Sequence, residues 1–135
     1  AQTFLDIAGV KSPADMQGTS LVPLFKGHTP KDWRTHFYYH YYEFPGAHSV
    51  ARHYGVTNGR HKLIHFYQKN EWELFDLKKD PNELQSVYGN SDYKTIESDL
   101  LAELKRLRIH YKVPEEDPVP PKRKRPNQPN RPKKK

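Results

Sequence analysis

Four histidines, two arginines and a lysine lie within twenty residues in the segment 48–67, HSVARHYGVTNGRHKLIHFY. Such side chains bind anions, because guanidinium groups form charge-assisted hydrogen bonds with sulfate, phosphate or carboxylate and imidazole changes charge near neutral pH. His48, Arg52 and His53 stand at the start of this segment, and we take them as candidate anion-binding residues. The alternative is ordinary surface charge, with a histidine bonded to the backbone.

Two further histidine pairs, His36/His40 and His61/His65, have a spacing of four residues that on a helix would suit a metal ion. On a strand the same spacing separates the side chains by roughly 13 Å, which is too far for a shared ion. The chain also has no HExxH motif and no cysteine, so no thiolate site or thiol nucleophile is available. We therefore predict no metal ligands in this chain.

The segments that carry these residues are predicted to be β-strands. Asn58-Gly59 is a strong hairpin signal, and it predicts one strand over 51–57 and another over 60–67. The Tyr- and Phe-rich run 35–44 predicts a strand before them, and EWELFDL, 71–77, predicts one after. Alternation then places Arg52 on the face opposite His53.

Helices flank these strands. TFLDIAGV predicts a helix that ends at Gly9, and Ser20 is a candidate cap for a short turn that Gly27 closes. An apolar stripe at Ile96, Leu100, Leu104 and Leu107 predicts a helix from Ser91 to about Ile109, before Pro114. We predict an α+β fold, a small four-stranded antiparallel sheet with a packed C-terminal helix. The first helix has a stop signal but no start signal, which suggests the C-terminal portion of a longer protein.

Composition divides the chain into 1–113 and a tail, 114–135. The tail holds eight of the 23 Lys and Arg, seven of the 12 prolines and almost no apolar residue. Because it cannot bury enough surface to offset the entropy of ordering, we predict that it is disordered. No apolar run is long enough to span a membrane.

The aromatic run HFYYHYYEF, 36–44, supports two interpretations. It could stack bases or sugars, or it could pack between the sheet and a neighbouring domain, with its hydroxyls reaching polar partners. Both of its faces are aromatic, whereas a single helix covers only one. We favour a neighbouring domain.

Three segments in this order resemble formylglycine-dependent type I sulfatases. FLDIAGVKSPADMQGTSLVPLFKG is similar to a passage of the bacterial enzymes that contains a DMQG motif and continues through SL-x-PL to a glycine. The segments that come next follow the order of that family: Trp33-Arg34, the Tyr-rich strand, HSVARHYGV and KLIHFY. WELFDLKKDPNEL then resembles the passage before the last helix of the family. The resemblance covers about 1–110. The tail has no counterpart, and ELQSVYGN lacks an asparagine usual after the DPxE motif.

The resemblance implies that 1–113 is the C-terminal subdomain of an alkaline-phosphatase-like sulfatase that hydrolyses sulfate esters on a sulfated glycan, with N-acetylglucosamine-6-sulfate as the favoured unit. Calcium and formylglycine are expected in an N-terminal catalytic domain, since this chain has no Cys/Ser-x-Pro-x-Arg motif. The chain alone should be inactive. Its partners are expected to be that domain and the glycan, with no membrane, and its location periplasmic or secreted.

The resemblance also implies that His48, Arg52 and His53 contact the sugar or sulfate, with His53 first among them, and that Arg60 and Lys62 have structural or rim roles. The alternative function is a non-enzymatic module that binds nucleic acid or sulfated glycan through the tail and hairpin. A third possibility is a structural domain whose aromatic strand docks a partner.

Overall fold

A computed structural model of the chain describes residues 1–116. Its helices and strands follow in this order: α1 Gln2–Ile7, α2 Val22–Phe25, β1 Phe37–Tyr41, β2 His53–Thr57, β3 His61–Phe66, β4 Glu71–Asp76 and α3 Lys94–His110. A 3-10 turn, Ser91–Tyr93, leads directly into α3. The predicted α+β architecture is confirmed.

The four strands form an antiparallel meander in the order β1-β2-β3-β4. The predicted hairpin joins β2 and β3: the Asn58 side-chain oxygen accepts hydrogen bonds from the backbone N–H groups of Arg60 and His61, at 3.0 and 2.7 Å. Gly59 has a φ of +86°, a conformation that favours glycine. This tight turn fixes which residues of β2 and β3 face each other.

Alternation along the strands gives the sheet two faces, which the register defines. The inner face carries Tyr38, His40, Tyr54, Val56, His61, Leu63, His65, Trp72, Leu74 and Asp76. The outer face carries Phe37, Tyr39, Tyr41, His53, Gly55, Thr57, Lys62, Ile64, Phe66, Glu71, Glu73 and Phe75. Helix α3 packs on the inner face, where its leucines at 100, 104 and 107 complete the core with Val56, Leu63 and Leu74.

The start of α3 is fixed by a side chain that the sequence interpretation did not single out. The Asn90 side-chain oxygen accepts a hydrogen bond from the Asp92 N–H at 2.9 Å and caps the 3-10 turn. Tyr93, the last residue of this turn, is buried in the core. It sets the rotation of α3 about its axis, so that the apolar stripe of the helix faces the sheet.

The observed elements are shorter than predicted. Strand β1 covers five residues of the predicted 35–44, and β2 begins at His53, so Arg52 precedes the strand instead of lying within it. Ser20 stands one residue before the N-cap, Leu21, although its hydroxyl oxygen accepts a hydrogen bond from the Val22 N–H at 3.2 Å. Of the predicted disordered tail, 117–135 lies outside the described residues.

The N-terminal segment, 1–27, forms a helical arm beside the sheet. Gln17 ties it to the end of α3, because its side-chain amide donates a hydrogen bond to the Tyr111 carbonyl at 3.0 Å. Its apolar side chains remain open to solvent: Phe4 is 77% exposed and Phe25 is 69% exposed. Within residues 1–116, no helix combines the length and apolar character needed to cross a membrane.

Candidate functional site

His53 is the first residue of β2 and lies on the outer face, away from α3. Its Nδ1 is 2.8 Å from the Ala51 carbonyl oxygen. Because a carbonyl only accepts, Nδ1 carries the proton, and Nε2 is left as the atom that can meet a ligand. A neutral His53 presents an acceptor at Nε2, and a protonated one presents a donor.

Three aromatic rings surround the His53 imidazole. Tyr41, its cross-strand partner, stacks on it with ring centroids 5.3 Å apart and planes at 25°. Phe66 lies at 5.1 Å in a tilted arrangement, and Tyr39 meets the ring edge-on at 5.7 Å. These contacts, with the bond to Ala51, hold the ring in one orientation, which suits a residue that must position a ligand.

Arg52 anchors the loop between β1 and β2. Its guanidinium donates a hydrogen bond from Nη2 to the Phe44 carbonyl oxygen at 2.8 Å, and Phe44 precedes a cis proline, Pro45. His48 lies exposed in the same loop. No hydrogen bond or ring contact among residues 1–116 joins His48 to Arg52 or His53. Arg52 and His53 are thus neighbours in the chain, while His48 is separate from both.

Tyr39 and Gly55 complete the site, and the sequence interpretation did not identify either as a site residue. A Cβ at Gly55 would come within 2.9 Å of the Tyr39 hydroxyl oxygen and would also meet the Leu63 carbonyl oxygen. Gly55 therefore lets the Tyr39 ring lie against β2. Burial, and then the charges of Glu83 and Glu73, raise the pKa of the Tyr39 phenol well above its usual range.

The hydroxyls of Tyr39 and Tyr41 are shielded from solvent and have no hydrogen-bond partner among residues 1–116. Buried hydroxyls in folded proteins are nearly always paired. The signal that could have identified them is their spacing: two tyrosines two residues apart on one face, opposite His53 in an adjacent strand.

The other end of the hairpin has a different chemistry. Asp76, which is 3% exposed, accepts hydrogen bonds from Nε and Nη2 of Arg60 at 3.3 and 3.2 Å and from the Tyr93 hydroxyl at 3.4 Å. The Arg60 hydrogen bonds are the main reason that the pKa of Asp76 is lowered to about 2. Lys62 donates to Glu83 at 2.6 Å. These contacts give Arg60 and Lys62 the structural roles expected of them.

The histidine pairs bind neighbours instead of a shared ion. His61 lies 3.6 Å from the Asp76 carboxylate, His65 contacts the Tyr54 hydroxyl at 2.8 Å through Nδ1, and His36 contacts the Thr35 hydroxyl at 2.9 Å. Across 1–116, no cluster of three or more His, Cys, Asp or Glu side chains could hold a metal ion. His36, His61 and His65 thus each have a close polar contact with a neighbouring side chain.

Comparison with known proteins gives a consistent result. The family model for "N-sulphoglucosamine sulphohydrolase, C-terminal" matches residues 1–110. An N-acetylglucosamine-6-O-sulfatase of Bacteroides thetaiotaomicron is 48% identical over 115 residues, which are 83% of this chain and 21% of that protein. A Delta 4,5-hexuronate-2-O-sulfatase of the same organism is 32% identical over 117 residues, covering 81% of this chain and 22% of that protein.

A solved structure supports the same relationship. A protein in complex with its substrate D-glucosamine-2-N,6-O-disulfate superposes with a TM-score of 0.79 at 46% identity, over 84% of this chain and 24% of that one. The chain spans about a fifth of the length of the curated relatives that it matches.

Proposed function

This chain belongs to the family of N-sulphoglucosamine sulphohydrolase C-terminal domains, and we propose that residues 1–113 form the C-terminal subdomain of a sulfatase that hydrolyses sulfate esters on a sulfated glycan. The observation that carries the proposal is the ordered match of the family over 1–110, together with a fixed imidazole on the open face of the sheet. N-acetylglucosamine-6-sulfate is the proposed unit, supported by the relative at 48% identity, which is an N-acetylglucosamine-6-O-sulfatase.

Calcium and formylglycine, expected by resemblance, do not fit the residues of this chain. The sequence has no cysteine and no Ser-x-Pro-x-Arg motif from which formylglycine would form. Residues 1–116 contain no cluster of acidic and histidine side chains that could hold a metal ion. We therefore assign no step of the reaction to either group here and place both in the proposed catalytic domain.

The proposed catalytic domain covers surfaces that this chain leaves open. Phe4, Ile7 and Phe25 of the arm are each more than 60% exposed, and burying them against a second body would supply hydrophobic free energy. A glycan polymer is met outside the cytoplasm, which supports a periplasmic or secreted location.

In this arrangement His53 contacts the sugar or the sulfate through Nε2, while Arg52 and His48 shape and line the loop beside it. Because the ring is fixed, Nε2 can accept a hydrogen bond from a sugar hydroxyl when His53 is neutral or donate one to a sulfate oxygen when it is protonated, and either contact aligns the sugar. The predicted contribution is to specificity and positioning, and bond breaking belongs to the catalytic domain.

The test is a chimera in which residues 1–113 replace the matching region of the Bacteroides N-acetylglucosamine-6-O-sulfatase. The chimera should hydrolyse its sulfated sugar, and this chain alone should not. His53→Ala should lower kcat/KM for the sugar by roughly 10- to 100-fold, the cost of one charge-assisted hydrogen bond. It should change the rate with a small aryl sulfate much less.

His110→Ala serves as the matched control, since His110 is an exposed histidine at the end of α3. Unchanged sugar kinetics in His53→Ala would remove His53 from the site. An inactive but folded chimera would count against the sulfatase assignment as a whole. Salt-sensitive glycan or nucleic-acid binding by the 135-residue chain, with no active chimera, would instead favour the polyanion-binding module.

A further inference from the structure

A cavity of about 460 Å³ lies between the second half of α3 and the inner face of the sheet. Its floor contains Tyr54 and Trp72, and the segment after α3, through Glu115, closes one side. Its volume is within the range of small-molecule pockets, roughly 300–1,000 Å³. Because Tyr54 and His53 are consecutive strand residues, the cavity opens on the opposite side of the sheet from the proposed substrate site.

Arg108 is a half-buried cation in this cavity, and no carboxylate among residues 1–116 forms an ion pair with it. Its guanidinium lies over the Tyr54 ring, 4.1 Å from the centroid, and Nη2 donates to the Pro114 carbonyl at 3.3 Å. Nη1 is shielded from solvent and has no hydrogen-bond partner among residues 1–116. No carboxylate in that range lies within 4.0 Å to form an ion pair with Arg108. Shielded charges in proteins are normally paired.

The surroundings of Arg108 are positive at the rim and apolar on the walls. Lys105 and Lys112 line the cavity, against one carboxylate, Glu115. The aliphatic walls consist of Leu101, Leu104, Ile109 and Val113. The net charge at the rim therefore favours an anion, and the walls favour a ligand body that can bury apolar surface.

The two aromatic residues of the floor do not offer free ring faces. Tyr54 lies between Arg108 and Tyr67, whose ring stacks on it at 5.4 Å. Trp72 lies between His65, stacked at 3.8 Å, and Tyr88, at 6.0 Å. Neighbouring groups therefore already occupy positions at which a ligand could stack on these rings. A sugar, which stacks on a ring face, is thus a poorer fit than an aliphatic anion.

We propose that this cavity is an anion site that binds a small organic sulfate or carboxylate with an apolar body. The anionic group pairs with Arg108 and the rim lysines, and the body packs on the leucines of α3. Because the site is defined by its own residues, it does not depend on the sulfatase assignment.

The test uses the full chain carrying Trp33→Phe, which leaves Trp72 as the only tryptophan of the two in the sequence. Cyclohexyl sulfate and cyclohexanecarboxylate are the probes, since neither absorbs at the excitation wavelength of tryptophan. Either probe should cause a saturable change in Trp72 emission. Inorganic sulfate and glucosamine 6-sulfate, which lack an apolar body, should bind more weakly.

Arg108→Met keeps an apolar stem and removes the charge, and it should weaken probe binding roughly 10- to 100-fold. Lys105→Met, at the exposed rim, should weaken it roughly 2- to 5-fold and perturbs packing less. Lys94→Met removes the same charge from the other end of α3 and should change nothing.

Three results would overturn the proposal. The first is the absence of a saturable Trp72 response, and the second is equal affinity in the parent, Arg108→Met and Lys105→Met proteins. The third is tighter binding of glucosamine 6-sulfate than of cyclohexyl sulfate, which would contradict the assignment of an apolar body. A thermal melt of each variant shows whether lost binding reflects lost folding, and Lys105→Met decides the question if Arg108→Met does not fold.

Discussion

The two faces of the sheet are built from the same four strands but have opposite characters. On the inner face Val56, Leu63 and Leu74 are each fully buried beneath α3, and Asp76 is bonded to Arg60 and Tyr93. On the outer face an oriented histidine lies among aromatic rings, beside tyrosine hydroxyls that have no partner in residues 1–116. The inner face therefore holds the core that stabilises this chain, whereas the outer face carries the candidate site.

The outer face is not open along its whole width. Ile64 is 6% and Phe75 is 4% exposed, and the Lys62–Glu83 ion pair joins the loop after β4 to this side. The open part is the end formed by β1 and the start of β2, where Tyr41 and His53 lie. The two faces therefore differ most between that end of the outer face and the core beneath α3 on the inner face.

The largest effect is expected from the inner face. Leu74→Ala should lower the free energy of unfolding by about 2–5 kcal/mol, because it leaves a cavity in the core beneath α3. Phe37→Ala, on the outer face, should cost less than about 1 kcal/mol, since Phe37 is 54% exposed. Urea unfolding of the chain measures both. Similar losses of unfolding free energy in the two variants would mean that the two faces contribute equally to the stability of the chain.

A smaller, pH-dependent effect is expected at Asp76. Its pKa is about 2 in the folded chain, against about 3.9 for an unfolded aspartate. A lowered pKa stabilises the folded state above the unfolded pKa, and this contribution is lost as pH falls from about 4 towards 2. Urea midpoints between pH 7 and pH 2 should therefore fall less steeply in Asp76→Asn than in the parent.

Asp99→Asn is the matched control for Asp76, because Asp99 is an exposed aspartate on α3. It should retain the acid sensitivity of the parent. If Asp76→Asn and the parent lost stability in parallel over this range, the Arg60–Asp76 contact would not be the source of the acid sensitivity.

The smallest effect on this chain is expected from Tyr41→Phe. Removing an unpaired hydroxyl breaks no hydrogen bond, so the free energy of unfolding of the chain should change by less than about 0.5 kcal/mol. The same small change is expected in the chimera, because the hydroxyl is already shielded within this chain and does not reach a second domain. Thermal and urea unfolding of both proteins provide the measurement.

Tyr38→Phe is the inner-face counterpart of this substitution. The Tyr38 hydroxyl lies 3.1 Å from Nδ1 of His40, so its loss should lower stability equally in the chain and the chimera. A larger effect of Tyr41→Phe in the chimera than in the chain would show that this hydroxyl does meet the catalytic domain.

Local sequence signals predicted most of the fold. The Asn58-Gly59 turn, the apolar spacing of α3 and the aromatic strand each correspond to an observed element, because each depends on residues near one another in the chain. The boundaries were less accurate. Arg52 was expected within a strand, but its guanidinium bonds to the Phe44 carbonyl across the loop, a contact that no local pattern indicates.

The candidate site was only partly predicted. His53 shares a face with Gly55 and Thr57, as the alternation predicted, whereas no hydrogen bond or ring contact within residues 1–116 joins His48 to it. Tyr39, Tyr41 and Gly55 were not identified as site residues, because their importance depends on the pairing of β1 with β2. The Arg60–Asp76 pair joins residues sixteen positions apart, and it forms only when β3 and β4 are in register.

The sequence by itself determined the family, the order of the elements and the division of charge, since these follow from composition and from patterns of neighbouring residues. Only the tertiary structure decided which tyrosines surround His53, which carboxylate is buried, and that Arg108 lines a cavity with no ion-pair partner among residues 1–116. The physical reason is that burial and hydrogen-bond pairing depend on distances between strands and helix, which the linear order of residues does not specify.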